Sequence, residues 1–93
     1  MRHPSIIEIR DLVRTLNYVV THHANEEIED DCLSILDVEN IVLTGEIVER
    51  QRDRESKEIK CVIDGCTLEG DAAQAVVKIG ATGRLIIITV YVV

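Results

Sequence analysis

Apolar residues recur at helical spacing through the first half of the chain. The first such segment follows Ser5, which is placed to cap a helix, and its apolar positions are Ile6, Ile9, Val13 and Leu16. A second helix is predicted over about residues 22–31, after the cap residue Thr21, although its apolar face is thin. A third is predicted over residues 35–44 after Ser34. The spacing therefore predicts three short helices in the N-terminal half.

From Glu46 onward the period of the apolar residues changes from about 3.6 to 2, which is typical of strands. The predicted strands cover residues 46–52, 58–63, 72–79 and 85–92. Turns are predicted at residues 53–57 and at Asp64-Gly65, and residues 18–20 are read as a short extended or turn segment. The β-branched run at the C-terminus indicates a central strand. The predicted fold is α+β, with the helices packed on one face of an antiparallel sheet of about four strands.

Composition narrows the class of protein. A chain of 93 residues with 46% hydrophobic residues is a single domain over residues 1–93 and is not intrinsically disordered. No apolar run is long enough to cross a membrane, and no secretory leader is indicated. The three cysteines form no even framework, so we expect reduced thiols in a cytoplasmic protein. The sequence indicates neither a metal site nor a cofactor.

Charge is distributed unevenly along the chain. The net charge of −7 argues against a simple nucleic-acid-binding module. Half of the ten basic residues nevertheless fall in one short stretch, which contains Arg50, Arg52, Arg54, Lys57 and Lys60. The acidic first half is therefore followed by a local basic stripe.

An ordered series of motifs resembles one family. The segments are Thr21-His22-His23-Ala24, Ser34-x-x-Asp37-Val38-Glu39, Leu43-Thr44-Gly45-Glu46-Ile47-Val48-Glu49, Lys60-x-Val62-Ile63-x-Gly65 and Ile87-Ile88-Thr89-Val90-Tyr91. Together they are similar to a family of small bacterial domains of unknown function, grouped loosely with the MqsR- and RelE-like toxins. Such domains are often encoded beside a YgiT-type, MqsA-like zinc-finger protein.

The resemblance implies a compact toxin-like α+β fold and a role as a metal-independent mRNA interferase in a type II toxin–antitoxin pair. It also implies a co-encoded zinc-finger antitoxin as the partner and RNA as the substrate. One departure weakens the implied RNA cleavage. Many relatives carry a basic helix after the His-Ala pair, whereas residues 25–31 are almost entirely polar and acidic here.

Cleavage of RNA without a metal requires a base, an acid and cations that stabilise the phosphorane. The candidates for proton transfer are His23, His22, Glu49 and Tyr91. We take His23, Lys60 and Tyr91 as the candidate catalytic residues. The candidate phosphate-binding residues are Arg50, Arg52, Lys78 and Arg84.

Strand alternation predicts where these side chains lie. The sheet face without helices would gather Arg50, Arg52, Lys60, Gln74 and Lys78, with Thr89 and Tyr91 beside them. This assignment puts Glu49 and Gln51 on the helix side unless the strand contains a bulge.

An alternative reading competes with catalysis. A row of lysines and arginines on a sheet is usually a solvated surface with cross-strand ion pairs. Val62 and Val76 would be exposed among these charges, which predicts self-association or a partner protein. The alternative function is therefore a non-enzymatic interaction domain that uses the open sheet face or an edge strand.

Overall fold

A computed structural model of the chain describes residues 3–55 and 57–93. The described elements in chain order are α1 (Ile6–Arg14), β1 (Tyr18–Val20), α2 (His22–Asp30), α3 (Ile35–Thr44), β2 (Glu46–Arg52), β3 (Ile59–Cys66), β4 (Ala72–Ile79) and β5 (Leu85–Val92). The chain thus forms an α+β fold, as predicted, and the predicted bounds of α3, β2, β4 and β5 match those observed.

The sheet differs from the prediction in its number of strands and in its topology. It has five strands in the order β1-β5-β4-β3-β2. β1 pairs with β5 in parallel, with Tyr18 opposite Leu85, and the other pairs are antiparallel. The prediction of about four antiparallel strands is therefore wrong, because residues 18–20 form a fifth strand between α1 and α2. A segment of three residues shows too little alternation to be recognised as a strand.

The core lies between the helices and one face of the sheet. Ile9 of α1, Ala24 of α2 and Ile41 of α3 are fully buried and belong to the same apolar cluster as the strand residues. The buried strand residues of this cluster are Ile59, Cys61, Ile63, Ala73, Ala75, Val77, Leu85, Ile87 and Val90. Their cross-strand register places them on a single face, which we call the helix side. The opposite face of the sheet is called the open face.

Helix α3 packs directly on β3 through two glycines. A Cβ at Gly45 would lie 2.5 Å from the Ile41 carbonyl oxygen, and a Cβ at Gly65 would lie 2.2 Å from the same atom. Gly45 ends α3 with φ −91°, so its role is close approach and not the left-handed conformation expected of a helix-ending glycine. Gly65 lies inside β3, so the predicted turn at Asp64-Gly65 is wrong.

Helices α1 and α2 end in left-handed residues that are not glycine. Leu16 has φ 60° and Cys32 has φ 55°. The Asn17 N–H donates to the Leu12 carbonyl and the Leu33 N–H donates to the Ile28 carbonyl, each at 2.8 Å, which is the closing bond of a Schellman motif. A substitution to glycine is therefore expected to relieve strain at either position.

Within residues 3–55 and 57–93, each helix is too short or too polar to span a bilayer.

Candidate functional site

A β-bulge in β2 decides which charged residues lie on the open face. The register of β2 against β3 shifts between Ile47, which pairs with Ile63, and Glu49, which pairs with Val62. Beyond the shift, Arg50 pairs with the buried Cys61. Because residues directly opposite each other share a face, Arg50 lies on the helix side and Glu49 lies on the open face.

Because of this bulge, the basic residues predicted to share the open face are divided between the two faces of the sheet. Arg52 pairs with the buried Ile59, so both Arg50 and Arg52 belong to the helix side. Gln51 pairs with Lys60 on the open face. The prediction that Arg50 and Arg52 join Lys60 and Lys78 is therefore wrong, because an extra residue at the bulge reverses the alternation.

The open face has no excess of positive charge. Lys60 and Lys78 lie directly opposite each other on β3 and β4, and the Lys78 Nζ is 3.1 Å from a carboxylate oxygen of Glu58. The register places the carboxylates of Glu49 and Asp64 on the same face. Of the other predicted phosphate ligands, Arg84 is exposed in the loop before β5. A long nucleic acid would thus meet little net attraction across this face.

The apolar centre of the open face is less exposed than predicted. Val62 is only 9% exposed, and Val76 opposite it is partly buried. The expectation that both valines are exposed among the charges is therefore wrong for Val62.

Helix α2 is attached to β5 at the point where β1 ends. β1 pairs only with Leu85–Ile87, so the outer edge of β5 lacks a neighbouring strand beyond Ile87. The Thr21 N–H donates to the Ile87 carbonyl at 3.1 Å, and the Thr21 hydroxyl donates to the Ile88 carbonyl at 3.1 Å. The same hydroxyl accepts the Ala24 N–H and caps α2. The first turn of α2, which carries His23, is thereby fixed against β5.

His23 lies in a chain of polar contacts that runs from α2 to β5. The His23 Nε2 is 3.3 Å from the Glu27 Oε1. This carboxylate oxygen accepts hydrogen bonds from the Thr89 hydroxyl at 2.8 Å and from the Val90 N–H at 3.1 Å. Glu27 therefore satisfies an edge N–H of β5 and lies beside the imidazole. The side chain of His23 is 67% exposed, so the ring remains accessible to a substrate.

Sequence reasoning missed Glu27. Its only signal is the i, i+4 spacing from His23, and His22 and Glu26 share that spacing. The His22 Nε2 is 2.7 Å from the Glu26 Oε1, but the His22 side chain is 90% exposed. The two pairs are distinguished only by the contacts with β5, which depend on where β1 ends.

Tyr91 lies on the open face, two residues along β5 from Thr89. The Tyr91 hydroxyl hydrogen-bonds to the Gln74 side-chain carbonyl on β4. Tyr91 and Thr89 pair with Gln74 and Val76, two residues apart on β4, so both project from the open face.

The third predicted catalytic residue lies apart from the other two. Tyr91 faces Gln74, whereas Lys60 faces Lys78, which is four residues further along β4. At about 3.3 Å per residue, this separates Lys60 from the level of Tyr91 by roughly 13 Å. The structure places Tyr91 two residues along β5 from Thr89, whose hydroxyl shares the Glu27 carboxylate with His23, and leaves Lys60 toward the other end of the open face.

Among the described residues, the pKa values of Tyr18, Asp37 and Cys61 differ from their ordinary values. Burial, together with the hydrogen bond to Glu39, raises the pKa of Tyr18 to about 12. The backbone N–H groups of Ser34 and Leu68 lower the pKa of Asp37. Burial raises the pKa of the Cys61 thiol, and the guanidinium of Arg50 opposes that shift.

The described residues contain no group of three metal-ligating side chains placed to hold an ion. The thiols of Cys32, Cys61 and Cys66 are all free.

The fold and the polar contacts among His23, Glu27, Thr89 and Val90 define the class of protein. It is a small α+β domain with a five-stranded mixed sheet and a histidine held beside the edge of β5. The chain belongs to a family described as a domain of unknown function, DUF4258, whose sequence model matches residues 20–92. The match covers every element from α2 to β5 and leaves α1 outside it. No curated protein and no solved structure matches the chain.

Proposed function

We propose that the protein is a toxin-like ribonuclease of a type II toxin–antitoxin pair, and that it acts on cytoplasmic RNA without a metal. The observation that carries this proposal is the contact of His23 with Glu27, which Thr89 and Val90 hold in place. A carboxylate beside one ring nitrogen can orient an imidazole. The Nδ1 atom of His23 is then left to take a proton from a substrate.

The reaction is the attack of an RNA 2′-hydroxyl on the adjacent phosphorus. His23 Nδ1 takes the proton of the 2′-hydroxyl as the new P–O2′ bond forms. The P–O5′ bond breaks, and the leaving 5′-oxygen receives a proton from the Tyr91 hydroxyl, which then regains one from solvent. The products are a 2′,3′-cyclic phosphate and a 5′-hydroxyl. Lys60, which lies further along the open face, would contact a phosphate of the bound strand.

The test is cleavage of a fluorogenic RNA oligonucleotide by matched histidine variants. His23→Gln should lower the cleavage rate by about 100-fold or more, since general acid–base groups contribute about 10²–10⁴-fold. His22→Gln is the control, because it removes the neighbouring imidazole that contacts only Glu26. Tyr91→Phe should reduce the rate as well. Equal effects of the two histidine variants would refute the assignment of His23.

A cellular experiment tests the toxin role. Induction of the wild-type chain should arrest bacterial growth, and co-expression of a neighbouring zinc-finger gene product should rescue it. The His23→Gln variant should not arrest growth although it folds. Arrest by this variant at the wild-type level would contradict a role for His23 in toxicity.

One observation favours a second function, that of a non-enzymatic domain that binds a partner protein. β2 is an edge strand with seven residues, and the open face beside it balances two lysines with the carboxylates of Glu49 and Asp64. Such an edge can accept a strand from another chain. A protein that cuts no RNA but forms a complex with the co-encoded protein, or a homo-oligomer in sedimentation, would support this function.

A further inference from the structure

Two arginines on the helix side share a groove between α1 and β2. The groove has a volume of about 480 Å³ and is lined by Ser5, Ile6, Arg10, Glu46, Ile47 and Arg50. Arg10 projects from α1 and Arg50 from β2. A volume of several hundred cubic ångströms is typical of sites for small ligands.

Neither guanidinium has a carboxylate partner among the residues the structure describes. The Arg10 Nη2 donates to the Gly45 carbonyl at 2.7 Å, and the Arg50 Nη2 donates to the Pro4 carbonyl at 3.2 Å. The ion pairs of the described chain involve other residues, among them Arg14 with Asp11 and Lys78 with Glu58.

Arg10 also has an unused donor. Its Nε atom is buried and has no hydrogen-bond partner. A buried charged donor without an acceptor is costly, and an anion in the groove would remove that cost. Arginine is suited to this role because its planar fork matches the oxygens of a phosphate.

We propose that the groove between α1 and β2 is a binding site for a phosphate group, held by Arg10 and Arg50. Glu46 also lines the groove, but it pairs with Asp64, so its carboxylate lies toward the open face. The site is independent of the His23 cluster, since β2 and β5 are separated by two strands. The half of the groove that α1 and its cap contribute lies outside the residues that match the family model.

Inorganic pyrophosphate is the probe, and binding is measured by calorimetry on the wild type and two variants. Arg50→Gln should weaken binding by about tenfold or more, since hydrogen bonds to charged groups exceed about 1.4 kcal/mol. Arg52→Gln is the matched control, because it makes the same change of charge on the same strand and face but lies outside the groove. Absence of binding to the wild type, or equal losses in the two arginine variants, would overturn the proposal.

A second measurement does not depend on the variants folding. Pyrophosphate added to the ¹⁵N-labelled wild type should shift the Nε–H resonances of Arg10 and Arg50 more than that of Arg52. A larger shift at Arg52 would overturn the assignment.

A short single-stranded RNA then identifies the source of the phosphate. If Arg50→Gln weakens RNA binding together with pyrophosphate binding, the groove holds a nucleic-acid phosphate. If only pyrophosphate binding falls, it holds the phosphate of a small molecule. Cleavage of RNA by His23 is a separate readout, so either proposal can fail alone.

Discussion

The contact of α3 with β3 makes Gly65→Ala the most informative test of the fold. A Cβ at this position would lie 2.2 Å from the Ile41 carbonyl oxygen and 3.0 Å from its carbon, both of them backbone atoms of α3. Neither can move unless the helix shifts on the sheet. Overpacking of this kind costs about 1–3 kcal/mol, and the backbone clash places Gly65→Ala at about 3 kcal/mol. For a domain of this size the melting temperature should fall by about 12–24 °C.

Gly80→Ala is the matched control for this substitution. Its Cβ would lie 2.7 Å from the terminal Cδ1 atom of Ile86, a side-chain atom that can rotate away. The cost should be about 1 kcal/mol or less. Thermal unfolding followed by circular dichroism measures both variants. If Gly65→Ala melts no lower than Gly80→Ala, the direct packing of the α3 backbone on β3 is wrong.

Three further predictions concern the helix ends and one tyrosine. Leu16→Gly should raise the unfolding free energy by about 0.5–1 kcal/mol, because relief of the left-handed strain exceeds the entropy cost of glycine; denaturant unfolding that shows a loss would contradict it. Ser34→Ala should lower that free energy by about 0.5–2 kcal/mol, since it removes the hydroxyl that caps α3 and its half of the capping box with Asp37. Ultraviolet titration should give Tyr18 a pKa of about 12, which Glu39→Gln should lower toward 10. Because the folded pKa is the higher one, the stability linked to Tyr18 is complete below about pH 10 and is lost as pH rises toward 12; an unshifted Tyr18 in the folded protein would contradict this.

The elements that could be predicted from sequence are those whose signals are local. The caps Ser5, Thr21 and Ser34 marked the helix starts, and each side chain accepts the backbone N–H that the pattern implied. The aliphatic run near the C-terminus predicted the bounds of β5 correctly. These features depend on contacts within a few residues, which a single sequence displays.

The features that were missed depend on distant contacts. The bulge after Ile47 is fixed by pairing with β3, and it moved Arg50 and Arg52 to the helix side. The role of Gly65 depends on α3, which lies more than twenty residues earlier. Likewise, Glu27 matters because β1 ends at Val20 and leaves an edge of β5 unpaired. None of these contacts has a local pattern.

Analysis of the ends of cleaved RNA tests the proposed function most directly. The purified protein should convert a short single-stranded RNA into fragments that carry a 2′,3′-cyclic phosphate and a 5′-hydroxyl, in the presence of a chelator. The His23→Gln variant, folded to the same melting temperature, should produce neither end. Fragments with 5′-phosphate ends, cleavage that persists in the variant, or intact RNA with the wild type would contradict the account.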